Sequence, residues 1–505
     1  MASNPEEYAL PKQLTAMSAD FDRWYTDVIR LTEMADYSGV RGCMVIRPYG
    51  YAMWELIQRA FDDMIKESGH ENAYFPLLIP YDHFMKEAEH VEGFAPEVAW
   101  VQYAGPKPVL TSPANWTDAE KAQEAEGWLA QPLVIRPTSE TIIGPVMKKY
   151  IQSYRDLPQL LNQWCNVLRW EMRTRLFLRT AEFLWQEGHT FHASHAEAAE
   201  EVTRILEYYR SVAEDWLAMP VIMGRKTDSE KFAGAEYTTS IEAMMRDGLA
   251  LQAGTSHHFG QNFSRVYEIE FTNRLNEKEL AFTTSWGIST RLIGGLVMAH
   301  GDDFGLLVPP RVAPVQVVIV PIFRDEESRR AVEGFVEPLT RELKGRVRFK
   351  VDWRDERPGS KYAHWELRGV PLRVEVGPRD IEAGQVMVAD RLSRSKSAVP
   401  VTGLADRLAE LLEEYHRRLF QRALDYREEH THRPKTRAEL KEIYAAGNGF
   451  AWAAFCDRAE CEADLKDAIG VTTRNKPFEV EGDYGDRCVW CDQPATTVAV
   501  FARSY

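Results

Sequence analysis

Arg169, Glu171 and Arg179 are the residues of this chain whose types and spacing best suit phosphate chemistry. They stand in Asn162-Gln-Trp-Cys-Asn-Val-Leu-Arg-Trp-Glu171 and Phe177-Leu-Arg-Thr-Ala-Glu-Phe-Leu-Trp-Gln-Glu-Gly-His189, which read as strands carrying two arginines ten residues apart. A third arginine, Arg291, comes from Ser285-Trp-Gly-Ile-Ser-Thr-Arg-Leu-Ile-Gly-Gly295, which reads as a strand running into a helix. A guanidinium is a planar fork that matches phosphate and carboxylate oxygens in pairs. Three such forks converging on one pocket imply a polyphosphate with a small zwitterion beside it. Thr138 and Glu140 follow Arg136-Pro137. Pro137 biases this stretch toward extended or turn geometry. In an extended chain, residues two apart face the same side, so the Thr hydroxyl and Glu carboxylate could both meet an ammonium. An Arg-x-Glu pair standing alone on a strand is ordinarily a surface ion pair; its company here reverses that reading.

The elements that must position these groups fall into two patterns. Before Pro309-Pro310 the chain is rich in Trp, Phe and Tyr and mixes helix and strand signals. Residues 52–65 read as an amphipathic helix and 74–79 as a strand. Val202, Ile205, Leu206, Tyr209, Val212 and Trp216 recur at helical spacing, a core-facing stripe. Beyond the boundary, strands at 315–320, 347–353, 372–376 and 385–389 alternate with helices at 327–344 and 361–368. That is the pattern of a compact α/β unit. A charged helix, 404–429, leads to the last segment. The spacing divides the chain into 1–310, 311–410 and 411–505. The polar stretch 103–131 reads as a surface insertion.

The 505 residues include 45% hydrophobic and 27% charged side chains, a composition typical of globular domains. A net charge of −15 argues against indiscriminate nucleic-acid binding, though a local basic face can act within an acidic protein. No apolar run reaches membrane-spanning length and no signal segment is visible at the start, so a cytoplasmic protein without membrane attachment is expected.

Four of the six cysteines form a second chemical signal. Cys456-x4-Cys461 and Cys488-x2-Cys491, separated by 26 residues, suit tetrahedral zinc. A site closed by four thiolates has no open coordination position, so its role is structural. Cys43 and Cys165 read as core residues.

The arginines and their surroundings resemble the three motifs of class II aminoacyl-tRNA synthetases. Longer words narrow the resemblance: Phe94-Ala-Pro-Glu97-Val-Ala-Trp, Arg136-Pro-Thr-Ser-Glu-Thr, Leu178-Arg-Thr-Ala-Glu-Phe-Leu-Trp-Gln-Glu-Gly-His, Gly254-Thr-Ser-His-His and His300-Gly-Asp-Asp-Phe-Gly. Together they are similar to prolyl-tRNA synthetases of the archaeal and eukaryotic type, along nearly the whole chain. The resemblance implies an α+β multidomain fold: an antiparallel sheet flanked by helices, an α/β anticodon-binding domain at 311–410, and a small α/β zinc-binding C-terminal domain. No Gly-rich Lys-Ser/Thr phosphate loop is present, in keeping with a fold other than a P-loop one. Arg394-Ser-Lys-Ser faintly resembles a loop of the other synthetase class and reads as solvated.

The resemblance also implies ligands and roles. ATP, L-proline and tRNA(Pro) are the substrates, with Mg2+ accompanying ATP. Arg169 would bridge the proline carboxylate and the α-phosphate, and Arg291 would hold the γ-phosphate; these two are the catalytic pair. Arg179 would take the other phosphate side, Glu171 and Thr180 the adenine, with Ser289 among the ATP residues. Gln252 and Thr255 match nucleotide positions, Gln252 also the magnesium position. Thr138, Glu140, Arg169 and His257 would meet proline, with Phe94, Glu97, Trp185, Glu187 and His189 as outer pocket. No side-chain nucleophile is required. Proline anticodons carry two guanines, and Arg or Lys is the bidentate partner of guanine. RNA readers also stack unpaired bases on aromatic or Arg planes. The readers expected on this basis are Lys361, Trp365, Glu366, Arg368, Arg373 and Arg379. The terminal Tyr505 is expected either to turn its carboxylate toward the active site or to end a docked strand.

A homodimer follows from the resemblance, built on the helix through Met64 and the strand ending at Pro76. Between Arg179 and Ser285 there is no insertion of the size used for editing, so a separate trans-editing protein is an expected partner. Sister enzymes for threonine, glycine or histidine are the nearest alternatives, but a threonyl enzyme holds zinc in its active site, and the cysteines here lie outside the catalytic motifs. A non-catalytic relative would have lost the ATP arginines, and Arg169, Glu171, Arg179 and Arg291 are all in place.

Overall fold

The structure, a computed structural model, describes residues 14–90, 98–104 and 128–505. At its centre is an eleven-stranded sheet. Its site-bearing part runs, edge to edge, Val221–Arg225, Tyr237–Met244, Ala250–Gly260, Phe282–Ser289, Glu182–His192 and Gln159–Leu168, with every neighbouring pair antiparallel. This is the helix-flanked antiparallel sheet that the motifs implied. On one face pack the helices Pro48–Glu67, His195–Ser211 and Arg291–His300. The apolar stripe behaves as its spacing predicts: Val202, Ile205, Leu206 and Tyr209 are buried in the core cluster or beside it. Beyond Ser211 the chain loosens into one π-turn at Val212–Trp216.

Close packing against that face explains Gly188. A methyl group there would lie 2.1 Å from the ring of Trp286 on the neighbouring strand, and Trp286 is itself only 1% exposed.

The sheet does not stop at the catalytic strands. Val221–Arg225 pairs with Thr472–Pro477 from the C-terminal segment, followed by Thr497–Ala502 and Phe450–Phe455. The strand pairs at the two outer ends of the sheet are parallel. The C-terminal segment is thus stitched edge-on to the catalytic sheet by backbone hydrogen bonds.

The strands between residues 317 and 400 form a second, five-stranded mixed sheet. Val317–Pro321 lies parallel to both Phe349–Val351 and Leu372–Val376, and Gln385–Asp390 and Lys396–Pro400 continue antiparallel. The helices Glu326–Leu343 and Pro358–Leu367 connect these strands, and Leu404–Glu429 runs from this unit toward the C-terminal segment. A bidentate ion pair from buried Arg391 to Asp302, at 2.6 and 2.9 Å, fixes the unit to the catalytic part.

Three local expectations are corrected. The strand read at 74–79 covers only Leu78–Pro80; before it, Pro76 offers no N–H, and Phe75 is held by the side chains of Gln163 and Arg136 instead. The stretch Thr138-Ser-Glu140 is not extended: Ser139 is the N-cap and Glu140 the first residue of the helix Glu140–Tyr150. Cys43 and Cys165 are half-buried rather than core, and Cys165 Sγ donates to Glu187 at 3.3 Å. The insertion begins and ends in paired strands, Tyr103 opposite Trp128, and its interior at 105–127 lies outside the described residues.

Candidate active site

A cleft of about 190 Å3 opens over the middle strands of the large sheet. Its floor follows from strand periodicity, since alternate residues of a strand face one side. Trp185, Glu187 and His189 therefore point together from Glu182–His192. Register aligns them with the next strands: His189 opposite Ser285, Ser285 opposite His257, His257 opposite Thr238. In the adjoining row Glu187 lies opposite Gly287, and Gly287 opposite Thr255. Gly287 leaves room where any side chain would rise into the cleft.

Gln252 reaches the same cleft although strict alternation from His257 and Thr255 would send it to the other face. A β-bulge explains this. Ile241 pairs with Gly254 but Glu242 pairs with Gln252, so Ala253 is the extra residue and the alternation changes parity. One inserted residue re-aims a side chain, as bulges near binding sites commonly do.

The walls come from loops. Thr138 hydrogen-bonds to the carboxylate of Glu140, whose other oxygen accepts from Ser285 Oγ at 3.0 Å. The helix start, rather than an extended strand, brings the two together. Glu187 accepts from Ser139 N at 3.1 Å and Gln163 Nε2 at 2.9 Å, while His189 Nε2 lies 3.1 Å away. Burial alone would raise its pKa; these hydrogen bonds and the His189 charge outweigh burial and hold it at about 2. Glu187 is therefore a fixed carboxylate. His257 is the opposite case. Burial first, then the nearby charges of Arg169, His189 and Lys226, lower its pKa to about 3, so it is neutral at physiological pH. Thr238 Oγ1, 2.9 Å from Nδ1, orients its ring.

Arg169 lies just past the end of Gln159–Leu168, and Arg179 just before Glu182–His192. Neither sits on a strand edge, as the sequence reading had it; both belong to the excursion that joins the two strands. Arg169 faces the cleft, its Nε donating to Pro137 O at 2.9 Å and its guanidinium resting on the Trp185 ring at 5.0 Å. Those contacts aim the fork before any ligand arrives. Arg179 pairs with Glu171 at 2.9 Å, in an exposed position outside the cavity lining. Arg291 opens the helix Arg291–His300 of the strand-to-helix segment, with Nε donating to Leu178 O at 3.2 Å. Burial, then the like charges of Arg169 and Arg179, push its pKa down, and like Arg179 it lies outside the cavity lining. A guanidinium nevertheless stays cationic. Thr180, buried, and Ser289, whose Oγ accepts from Arg291 N at 3.2 Å, lie with this group rather than in the cavity wall. Phe94 and Glu97 fall outside the described residues.

Several lining residues carried no sequence signal. Lys226, Glu230 and Phe232 come from the turn between Val221–Arg225 and Tyr237–Met244. Lys226 is buried with Nζ 2.9 Å from Glu242, whose other oxygen accepts from Arg474 at 3.0 Å. Ser285 and Gly287 stood in the quoted motif, but only the register shows that they face the cleft. The cleft thus offers fixed carboxylates and a fixed cation side by side, a complement for a zwitterion next to an anion.

Of the six expected anticodon readers Arg379 is exposed, and the other five are buried or half-buried. Lys361 is buried with Nζ donating to Asp352 O at 3.0 Å, and Trp365 is buried with Nε1 donating to Asp352 Oδ2 at 2.8 Å. Arg368 is used in docking: it pairs with Glu33 and stacks on Tyr49 at 5.1 Å. Arg373 stacks on Tyr362 at 4.0 Å and bonds Glu375 at 3.1 Å. The backbone oxygen of Glu366 accepts from Arg391 at 2.8 Å. Arg379 lies in the short helix Pro378–Glu382.

The four cysteines meet. Their sulfurs all lie within 4.8 Å of one another, with Cys461–Cys488 at 3.8 Å and Cys456–Cys491 at 3.6 Å. Tetrahedral zinc with bonds near 2.3 Å needs sulfurs about 3.8 Å apart, so the donor set and spacing both fit. At the chain end, the Tyr505 hydroxyl donates to Asp247, and Arg175 lies over its ring at 5.3 Å.

Comparison with known proteins agrees with this layout. Residues 126–300 match the tRNA synthetase class II core domain (G, H, P, S and T), 316–411 the anticodon binding domain, and 437–505 the C-terminal prolyl-tRNA synthetase model. A proline–tRNA ligase of Roseiflexus sp. (strain RS-1) is 50% identical, covering 98% of this chain and 100% of that protein. One from Symbiobacterium thermophilum is 49% identical over 99% of this chain and 100% of its own length. The crystal structure of prolyl-tRNA synthetase from Cryptosporidium parvum, complexed with halofuginone and AMPPNP, superposes with a TM-score of 0.89 at 40% identity, covering 98% and 99% of the two chains. The chain belongs to the prolyl-tRNA synthetase family, the class II enzymes that ligate proline to tRNA.

Proposed function

We propose that the chain charges tRNA(Pro) in two steps within this one cleft. In the first, a proline carboxylate oxygen attacks the α-phosphorus of ATP. A P–O bond forms, the bond to the β-phosphate breaks, and pyrophosphate leaves. In the second, a ribose hydroxyl of the terminal tRNA adenosine attacks the carbonyl of the mixed anhydride, and AMP leaves. The observation that carries this reading is Arg169: a cation aimed into the cleft by Pro137 and Trp185, with Glu140 and Glu187 in the same cavity. Proline would set its secondary ammonium against the carboxylates and its carboxylate on Arg169. Neutral His257, Thr138 and Trp185 would shape the rest, with Phe94, Glu97 and His189 in the outer pocket. Holding carboxylate and phosphate in line is worth several kcal/mol of barrier, and a fixed cation at the phosphorus adds more.

Arg291 and Arg179 would hold the phosphates, with Arg179 leaving Glu171 to do so. Glu171, Thr180 and Ser289 complete the nucleotide side. Magnesium takes oxygen ligands and is bound chiefly through substrate phosphates. Gln252, in the cleft lining, is the oxygen donor this chain would add, and the ion would neutralise the leaving group. The four thiolates would hold structural zinc.

The boundaries 1–310, 311–410 and 411–505, a cytoplasmic location and the archaeal and eukaryotic type belong to the same proposal. No helix among the described residues is long and apolar enough to cross a membrane. A homodimer is supported by Tyr74, 74% exposed beside the short edge strand Glu71–Asn72. The lack of an inserted editing domain is part of the same proposal, supported by residues 182–289 being spent on sheet strands and their connections. An apolar pocket rejects a smaller ligand by only about 1–3 kcal/mol per missing methylene. Alanine and cysteine should therefore be activated detectably, leaving clearance to a separate protein. Alanyl-tRNA(Pro) formation above background is the expected result; its absence would contradict that part.

The direct test is ATP–pyrophosphate exchange with each amino acid, followed by charging of tRNA(Pro). Exchange led by proline supports the reading; exchange led by threonine, glycine or histidine overturns it.

A further inference from the structure

The turn at 226–236 supplies Lys226, Glu230 and Phe232 to the cleft, yet much of what holds it comes from the C-terminal segment. Phe232 packs on His257 with ring centres 4.7 Å apart, and its N–H donates to Thr238 Oγ1 at 2.9 Å, the same hydroxyl that orients His257. The position of the turn therefore sets the position of the imidazole. Two hydroxyls of the turn, Thr227 Oγ1 at 3.2 Å and Ser229 Oγ, donate to one carboxylate, that of Glu462. Glu462 is 5% exposed and adjoins Cys461 on the helix Ala459–Ile469. Of the flanking ion pairs, Arg474 binds Glu242 on a catalytic strand, while Lys476 binds Asp457, beside Cys456, at 2.6 Å within the C-terminal segment itself. Thr473 Oγ1 also lies 3.4 Å from Thr227 Oγ1, but Glu462 is the link that holds two residues of the turn at once, and it does so with a carboxylate.

We propose that Glu462 is a positioning residue for the substrate cleft, fastening the 226–236 turn to the four-cysteine module so that the module braces the wall around His257. This rests on the cleft being the proline site. A brace acts on the bound ground state and the transition state alike, so its loss raises KM and leaves kcat near its original value. Losing hydrogen bonds to a buried carboxylate is large enough to be read in both affinity and local opening.

The test uses the full chain. Glu462→Ala should raise the proline KM about tenfold with kcat within about twofold, in line with a lost charge-assisted hydrogen-bond pair. Its zinc content should stay at the wild-type level, and amides 227–235 should exchange with deuterium faster than in wild type without any substrate present. Glu462→Gln, which keeps one acceptor oxygen, should recover most of the KM. The double variant Thr227→Val, Ser229→Ala approaches the same link from the turn side and leaves the cysteine helix untouched; it should reproduce the Glu462→Ala pattern, and it decides the matter if Glu462→Ala folds poorly. Wild-type KM and wild-type exchange in the double variant would overturn the proposal, as would a fall in kcat at unchanged KM. The exchange measurement needs no proline, so failure of the brace and failure of the proline reading are told apart.

Discussion

Arg169 does its work because little freedom is left to it. One guanidinium nitrogen is spent on Pro137 O and the plane lies on Trp185, so the remaining donors point into the cleft without a further ordering cost. Glu187 is fixed in the same way, by hydrogen bonds that outweigh its burial. The rigidity extends one layer below, where Trp286 fills the space above Gly188. Gly188→Ala should destabilise the fold by about 1–3 kcal/mol through overpacking, read as a lower urea midpoint with an unchanged slope. An unchanged midpoint would mean that the strand shifts freely there. Alternation along a strand made Trp185, Glu187 and His189 legible as one face. Gln252 was legible only by family resemblance, because the extra residue at Ala253 that turns it inward leaves no mark in the pattern. Lys226 and Phe232 were not legible at all, since a turn has no periodicity from which to infer direction.

Among elements, helices with clear apolar stripes and the buried parallel strands of residues 316–411 were read nearly to their ends; 404–429 and 372–376 match the structure at both bounds. What failed was the placing of Arg169 and Arg179 on strands, because they stand one and three residues beyond a strand end, where the pattern carries no boundary signal. The burial of Lys361 and Trp365 was not legible for another reason. Both look like exposed recognition residues until tertiary contacts with Asp352 draw them inside. The cysteines were legible because thiolate spacing is constrained by coordination geometry. Metal binding of this kind contributes on the order of 10 kcal/mol to local folding. Cys488→Ser should therefore cut zinc from about one per chain toward zero and lower the melting temperature, measured by elemental analysis and calorimetry. Full zinc occupancy in that variant would rule out a four-thiolate site.

The whole molecule carries several buried imidazoles. His192 and His300, like His257, have pKa values lowered chiefly by burial, to about 4 for His192 and about 3 for His300. In the unfolded chain each returns to 6.5, the ordinary value. Below that pH the unfolded state binds more protons than the native one, so stability rises with pH there and levels off above it. Urea midpoints should be flat from pH 7 to 8 and fall steadily as pH drops from about 6.5 toward 4, by up to about 1.4 kcal/mol per pH unit for each group. A midpoint that rises on acidification would contradict the burial assigned to these rings. The central claim concerns catalysis by the intact enzyme, and Arg169→Ala in proline-dependent ATP–pyrophosphate exchange tests it most directly. The predicted result is exchange reduced by at least about 10²–10³-fold, the scale seen when one preorganised charge-stabilising donor is removed, with the melting temperature preserved. Exchange at the wild-type rate in a folded Arg169→Ala protein would show that proline and ATP do not meet at this arginine.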